Sequence, residues 1–226
     1  MVTVSIVIPT LNEEANIGSL LSGIKRELKG IRYELLIVDG GPGGHSTDST
    51  VAIAKRHGSK ILYDDMGKGS ALIKGIKTAK GDIIISMDAD LSHEPKELRL
   101  LISGIASGYD MCVGSRFLSG GGTSDMPFFR VFGNKVFVAM VNLLYGSRYT
   151  DMCYGYRSFS RRALKKLRLT EKGFGIETEI NIKAQKAKLK VLEVPSFEKK
   201  RRHGEGKLHS FRDGWAILLT VLKNIG

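Results

Sequence analysis

Apolar and polar positions along this chain fall into two alternating periods. Short β-branched runs that stop at Pro, Gly or Asp predict strands, and stretches with apolar residues three or four apart predict helices. Residues 3–8 form the first such run, ended by Pro9, and Asn12 is placed to cap a helix from about Glu13 whose apolar stripe is Ile17, Leu20, Leu21, Ile24 and Leu28. A second run at 34–38 ends in Asp39 and a glycine-rich loop, before a helical pattern with Val51, Ile53 and Ala54. Residues 60–63 read as a strand, 64–69 as a loop and 71–79 as a helix. The apolar run that opens at Gly81 stops abruptly in Met87-Asp-Ala-Asp-Leu91. A helix with Leu98, Leu101, Ile102 and Ile105 on one face follows, then a strand at 110–114 ending in Ser115-Arg116.

Strands alternating with helices at this spacing predict right-handed crossovers and a mostly parallel sheet covered by helices on both faces. Ligands of such sheets bind beyond the carboxyl ends of the strands. Asp39, the Gly67-Lys-Gly69 loop and the Asp88/Asp90 pair all lie at those ends, so chain order alone brings them to one rim. Further on, residues 128–145 are apolar nearly all round, which predicts a helix packed in the core, with a lipid surface as the other possible environment. Residues 150–157 read as a turn, followed by helices from 161 and from 174 to 187, a last strand at 190–195, a basic loop at 199–207 and a terminal helix from 211 to 225.

Composition narrows the class. With 226 residues, 42% hydrophobic and 26% charged, the chain is long enough for one substantial core and is not disordered in type. One domain over 1–226 is expected. The net charge of +12 points to anionic partners, and from Lys183 onward eleven Lys or Arg face four Asp or Glu. Two cysteines, Cys112 and Cys153, lack metal or redox spacing, which fits a reduced, cytoplasmic setting. The start of the chain has no basic region followed by a cleavage site, and no apolar run of about 18 residues is uninterrupted, so neither a signal peptide nor a transmembrane helix is expected.

The candidate chemistry centres on Asp88 and Asp90. Residues spaced i, i+2 in an extended segment point the same way, so these carboxylates converge on one object, and hard oxygen ligands suit Mg²⁺ or Mn²⁺. Lys68 stands between glycines without the full phosphate-loop spacing, which disfavours ATP hydrolysis. Asp151 is the candidate base if the substrate presents a hydroxyl. His45, His57, His93, His203 and His209 are scattered and read as solvated positions. A nucleic-acid-binding role, prompted by charge alone, lacks aromatic residues interleaved with the basic loop.

The ordered set Ile8-Pro-Thr-Leu-Asn-Glu13, Val38-Asp39, Gly67-Lys-Gly-Ser-Ala71, Met87-Asp-Ala-Asp-Leu91, Gly114-Ser-Arg116, Asp151 with Gly155-Tyr-Arg157, and Arg201 through Lys207 resembles the family 2 glycosyltransferases. Among them it is most similar to the dolichyl-phosphate mannose synthase-like and other polyprenyl-phosphate sugar synthases. The resemblance implies an α/β fold of GT-A type, a Rossmann-like three-layer sandwich around a mostly parallel sheet, with a nucleotide-sugar half at 1–115 and an acceptor half at 116–226. It implies that Pro9, Leu11, Glu13 and Asp39 hold the base and ribose of the donor and that Asp88 sits near the sugar and ribose, with Val38 and Ala89 also on the donor and Lys68, between its glycines, placed to meet phosphate. Asp90 would be the principal ligand of Mg²⁺ or Mn²⁺, with Asp88 and Ser92 near it. Arg116, Arg130 and Asn134 would grip the acceptor phosphate, and Arg201 and Lys207 would close over the diphosphate.

The expected reaction is inverting transfer of a hexose, mannose first, from GDP-mannose to dolichyl or another polyprenyl phosphate. UDP-glucose, a UDP-N-acetylhexosamine or a saccharide hydroxyl acceptor are the alternatives. A lipid phosphate is already ionised and needs no general base, which agrees with a site rich in Arg and poor in paired His and carboxylate. The helix after Phe128 and the helix around Trp215 would meet an anionic membrane surface peripherally, on its cytoplasmic face. The chain departs from the family pattern at four places. Leu11 stands where Tyr is usual, Ser92 where Gln is often a ligand, and Asn134 and Gly206 where Ser is common, while the stretch from Pro42 to His45 looks inserted.

Overall fold

The computed structural model describes residues 2–203 and 210–225. The first half runs β1 (Thr3–Thr10), α1 (Glu14–Glu27), β2 (Arg32–Asp39), α2 (Thr50–Arg56), β3 (Lys60–Tyr63), α3 (Lys68–Thr78), β4 (Ile83–Ser86), a 3-10 turn at Pro95–Glu97, α4 (Leu98–Ala106) and β5 (Met111–Ser115). The second runs β6 (Gly122–Thr123), α5 (Phe128–Tyr145), β7 (Arg157–Ser160), α6 (Arg161–Leu164), α7 (Ile176–Lys186), β8 (Val191–Pro195), β9 (Phe197–Glu198) and α8 (Ser210–Lys223). Asn12 does not cap α1. It sits at φ 53° and its side-chain oxygen accepts from the Thr47 N–H, while Glu13 occupies the cap position.

Seven strands form one sheet in the order β3-β2-β1-β4-β7-β5-β8, and β6 pairs with β9 in a small second sheet. All neighbours in the large sheet are parallel except β7, which runs antiparallel to both β4 and β5. Alternation along each strand feeds two cores. Ile6, Ile8, Ile83 and Ile85 face α1 and α4, and Val7, Leu36, Ile84 and Val113 face α3, α5 and α7. The chain leaves β1 towards β2 on one side and β4 on the other, and the gap between such diverging connections is where sheets of this kind open a cleft.

Two further features differ from the sequence expectation. Between the turn read at 150–157 and the helix from 161 lies an unforeseen strand, β7, four residues long and inside the sheet between β4 and β5. Its polar residues concealed it, and most of their polar atoms find partners there, Arg157 Nε being the exception among the described residues. Ser158 Oγ donates to Leu101 O at 2.8 Å, and the Arg157 guanidinium donates to Asn181 Oδ1 at 2.9 Å and to the carbonyls of Glu177 and Tyr154. The second difference is α5, which is not a core helix. Only Asn134 and Val141 are buried along it, and Phe128 and Leu143 are each 85% exposed. At 18 residues with mean hydropathy 1.2, α5 is long and apolar enough to cross a membrane by length and composition, although the sequence, broken by Arg130, Asn134, Lys135 and Asn142, shows no uninterrupted apolar run.

Candidate functional site

Beyond the carboxyl ends of β1 and β4 lies a cavity of about 1100 Å³. Pro9, Leu11 and Glu13 line it from the tip of β1, and Gly40, Gly41 and Pro42 from the loop after β2. Val38 and Asp39, expected on the donor, are fully buried and do not reach its wall. The reason is the longer loop. Asp39 accepts from Thr10 Oγ1 at 3.0 Å and from the Ser46 N–H and hydroxyl at 2.9 and 2.5 Å, so its carboxylate ties the loop down from inside. Gly40, at φ 129°, lies so close to the next strand's exit that a Cβ there would stand 2.1 Å from Asp64 O.

The second wall is electrostatic. Lys68 opens α3, whose first turn passes under the 171–173 backbone: a Cβ on Gly69 would stand 2.4 Å from Glu171 O. From there Lys68 Nζ reaches both oxygens of Asp88 at 2.9 and 3.1 Å and Glu177 Oε1 at 2.9 Å. Expected to meet phosphate, this ammonium lines the cavity and bridges two carboxylates on its wall. Burial raises the Asp88 carboxyl, but Lys68 and the other nearby cations outweigh it and hold the group at about 2 against an ordinary 3.8. The folded carboxyl is depressed, so its contribution of about 2 kcal/mol is present above about pH 4 and lost as pH falls towards 2. Lys68→Met is therefore expected to lower stability to urea near pH 7 and to differ less from wild type near pH 3. A deficit of equal size at both values would contradict this account.

Asp90 lines the same cavity with different partners. Its Oδ1 accepts from the Ser92 N–H at 3.0 Å and hydroxyl at 2.6 Å, and its Oδ2 from Arg201 Nη2 at 2.6 Å. His93, read from sequence as solvated, is 1% exposed. Its ring stacks on Tyr156 and meets the edge of Tyr154, and Nδ1 accepts the Asp88 N–H at 3.0 Å, so it fixes the backbone where the chain enters Asp88. An apolar slot between two tyrosines holds this His, and nothing in local sequence signals that.

The third wall belongs to the second half of the chain. Arg116, Arg130 and Asn134 line the cavity together. Arg116 is buried and held by Asp151 through Nε–Oδ2 at 2.7 Å and Nη2–Oδ1 at 2.9 Å, and by both oxygens of Glu198 through Nη1 at 3.0 and 3.1 Å. Asp151 itself is 1% exposed and off the cavity wall. Its place is that of a residue positioning Arg116, not of a base facing a substrate. Asn134 takes the Met152 N–H on Oδ1, while its buried Nδ2 has no partner among the described residues.

Of the other expected residues, Lys68, Asp88, Ala89, Asp90, Ser92 and Arg201 line the same cavity, and Lys207 lies outside the described residues. Sequence reasoning missed Glu177 and Glu198. Glu177 opens α7 amid apolar neighbours, where a carboxylate is buried only with a cation beside it, and that was the available signal. It also missed the apolar side of the cavity, formed by Phe129 and Phe137 of α5, Phe174, and Ile217 of α8.

Comparison with known proteins bears on the whole of this geometry. The family described as "Glycosyl transferase family 2" matches residues 5–168. The dolichol-phosphate mannosyltransferase of Pyrococcus furiosus is 34% identical over 91% of this chain, which spans only 59% of that relative's length. A dolichyl-phosphate hexose transferase of Haloferax volcanii is 30% identical over 97% of this chain and 92% of its own. Among solved structures, glucosyl-3-phosphoglycerate synthase from Mycobacterium tuberculosis, in complex with Mn²⁺, UDP and glucosyl-3-phosphoglycerate, superposes with a TM-score of 0.78 at 23% identity, covering 100% of this chain and 80% of that one. That likeness establishes the GT-A type of fold.

Proposed function

The chain belongs to glycosyl transferase family 2, and from that premise we propose that it transfers a hexose from a nucleotide sugar to a polyprenyl phosphate. One observation carries the reading. A single cavity joins the Asp88/Asp90 head to the Arg116, Arg130 and Asn134 wall, and its apolar side is built by two helices, α5 and α8, whose outer faces are exposed. A soluble sugar acceptor has no use for that side. A prenyl chain attached to a phosphate does.

The nucleotide would lie along Pro9, Leu11, Glu13 and the 40–42 backbone, and the sugar beside Asp88, Lys68 and Glu177. Asp90, with Asp88 and Ser92, would hold the divalent cation. Asp88, Asp90 and Ser92 line one cavity, an oxygen donor set that leaves positions for substrate oxygens and so fits such a cation. Mg²⁺ and Mn²⁺ accept such an arrangement, and the M. tuberculosis structure contains Mn²⁺ with UDP. A cation there would supply charge neutralisation to the leaving diphosphate. Arg201, with Lys207 following, would support the same charge. An oxygen of the lipid phosphate bonds the anomeric carbon as the carbon–oxygen bond to the diphosphate breaks, with inversion. The acceptor arrives ionised, so no residue has to remove a proton. Asp151, locked on Arg116, supports this over a hydroxyl acceptor.

Mannose from GDP-mannose is the first donor to test, given the P. furiosus relative, and UDP-hexoses are the alternatives. Radiolabelled GDP- and UDP-sugars offered with polyprenyl phosphate and Mg²⁺ or Mn²⁺ are expected to label the lipid from one donor. Labelling of a soluble saccharide with none in lipid would overturn the reading. The exposed faces of α5 and α8, with Phe132 and Trp215 each 63% exposed, would rest in the cytoplasmic face of a membrane. Changing both to Ser is expected to reduce flotation with anionic liposomes by about tenfold or more, since each buried aromatic is worth about 1.5 to 3 kcal/mol. Unchanged flotation would show that these faces do not meet lipid.

A further inference from the structure

Arg116 is surrounded by more negative charge than a phosphate-binding residue can keep. A guanidinium has five N–H donors. Asp151 takes Nε and one side of Nη2, and Glu198 takes Nη1 with both its oxygens, which leaves one Nη2 hydrogen without a carboxylate partner among the described residues. One cation and two carboxylates sum to a negative site before any anion arrives. At Arg116 itself an acceptor phosphate would meet repulsion and a single donor, with Arg130 and Asn134 lining the same wall.

The two carboxylates are not held alike. Asp151 is 1% exposed, and its oxygens also accept the backbone N–H groups of Arg116 at 3.2 Å and Cys153 at 3.3 Å. Glu198 lines the cavity, on a two-residue strand paired only with another of two residues, and its remaining partner among the described residues is Thr123 Oγ1 at 2.6 Å. If one carboxylate leaves, it is Glu198, and its departure opens the Nη1 edge to an anion.

Resting on the acceptor reading above, we infer that Glu198 is a placeholder for the acceptor phosphate on Arg116, and that its exchange is transmitted along 197–201 to Asp90. The transmission is short and specific. The Ser124 N–H donates to Glu198 O at 2.9 Å, the Lys200 N–H to Ser124 Oγ at 2.9 Å, and the Lys199 N–H to Ser92 O at 3.0 Å. Two residues on, Arg201 holds Asp90 Oδ2. Glu198 and Arg201 lie within roughly 10 Å of extended chain, so one strap grips the acceptor side with a carboxylate and the donor side with a guanidinium. Displacing Glu198 loosens the contact that Arg201 makes with Asp90, and by linkage a donor that draws Arg201 away weakens Glu198 on Arg116.

The test is calorimetric titration of farnesyl phosphate, in detergent, into wild type, Glu198→Gln and Glu198→Ala, with farnesol as the uncharged control and Arg130→Gln as a wall variant outside the Arg116 cluster. Both Glu198 variants are expected to bind farnesyl phosphate about tenfold tighter than wild type, with farnesol unchanged, the size expected for removing one charged competitor. Saturating farnesyl phosphate is expected to speed tryptic cleavage within 199–202 in wild type. A merely structural Glu198 would give the opposite sign, weaker binding of both ligands. Equal or weaker phosphate binding in the Glu198 variants, with Arg130→Gln still impaired, overturns the placeholder and leaves the acceptor site standing. Failure of farnesyl phosphate to bind any variant overturns both.

Discussion

Asp90→Ala is expected to lower transfer to lipid by about a thousandfold or more, the scale of losing several kcal/mol of charge stabilisation at a leaving diphosphate. Asp88 would share the cation but does not replace Asp90, because both of its oxygens are already engaged by Lys68. Asp90→Asn separates two roles, because an amide oxygen still accepts from Ser92 and keeps the 90–92 turn, while the charge that would meet a cation is gone. Both variants are expected to fail alike in kcat with the Asn form closer to wild type in thermal unfolding. Transfer by Asp90→Ala within about tenfold of wild type would remove this residue from the chemistry.

The largest stability effect is expected at Arg116. Arg116→Met leaves the Asp151 carboxylate buried without its counter-charge, a change that costs about 3 to 5 kcal/mol. For a chain of this length that is a fall in Tm of about 10 °C, measurable by calorimetry or circular dichroism. The double variant Arg116→Met, Asp151→Asn removes the stranded charge and is expected to recover most of the lost stability while remaining inactive. A single variant as stable as wild type would show that the pair does not hold the 150–155 segment in place.

The parts of this molecule that were legible in its sequence are those where local pattern and tertiary role agree. The β3 strand at Lys60–Tyr63 and the α5 helix at Phe128–Tyr145 fall where periodicity puts them, and the rim residues follow from where apolar runs stop. The parts that were not legible depend on contacts made far along the chain. Arg157 reads as the end of a turn and Ser158 as part of no element, until the contacts with Asn181 and Leu101 are seen. Asp39 stands where the resemblance places a donor ligand, yet seven residues on Ser46 folds back and occupies it. The outer face of α5 carries core-like residues, and hydrophobicity alone does not say whether protein or lipid covers them. Glu198 gave no signal because its partner is 82 residues away.

The antiparallel insertion of β7 has a consequence for biosynthesis. Until residues 157–160 emerge, the β4 strand, four buried residues of Ile and Ser, has one hydrogen-bonding edge open and apolar. Residues 1–115 and 116–226 are therefore not separable pieces, since the second supplies the strand that lies between β4 and β5 of the first. A nascent chain halted at residue 115 would carry a sticky edge, and its solubility would hinge on chaperones until the ribosome delivers some 45 residues more.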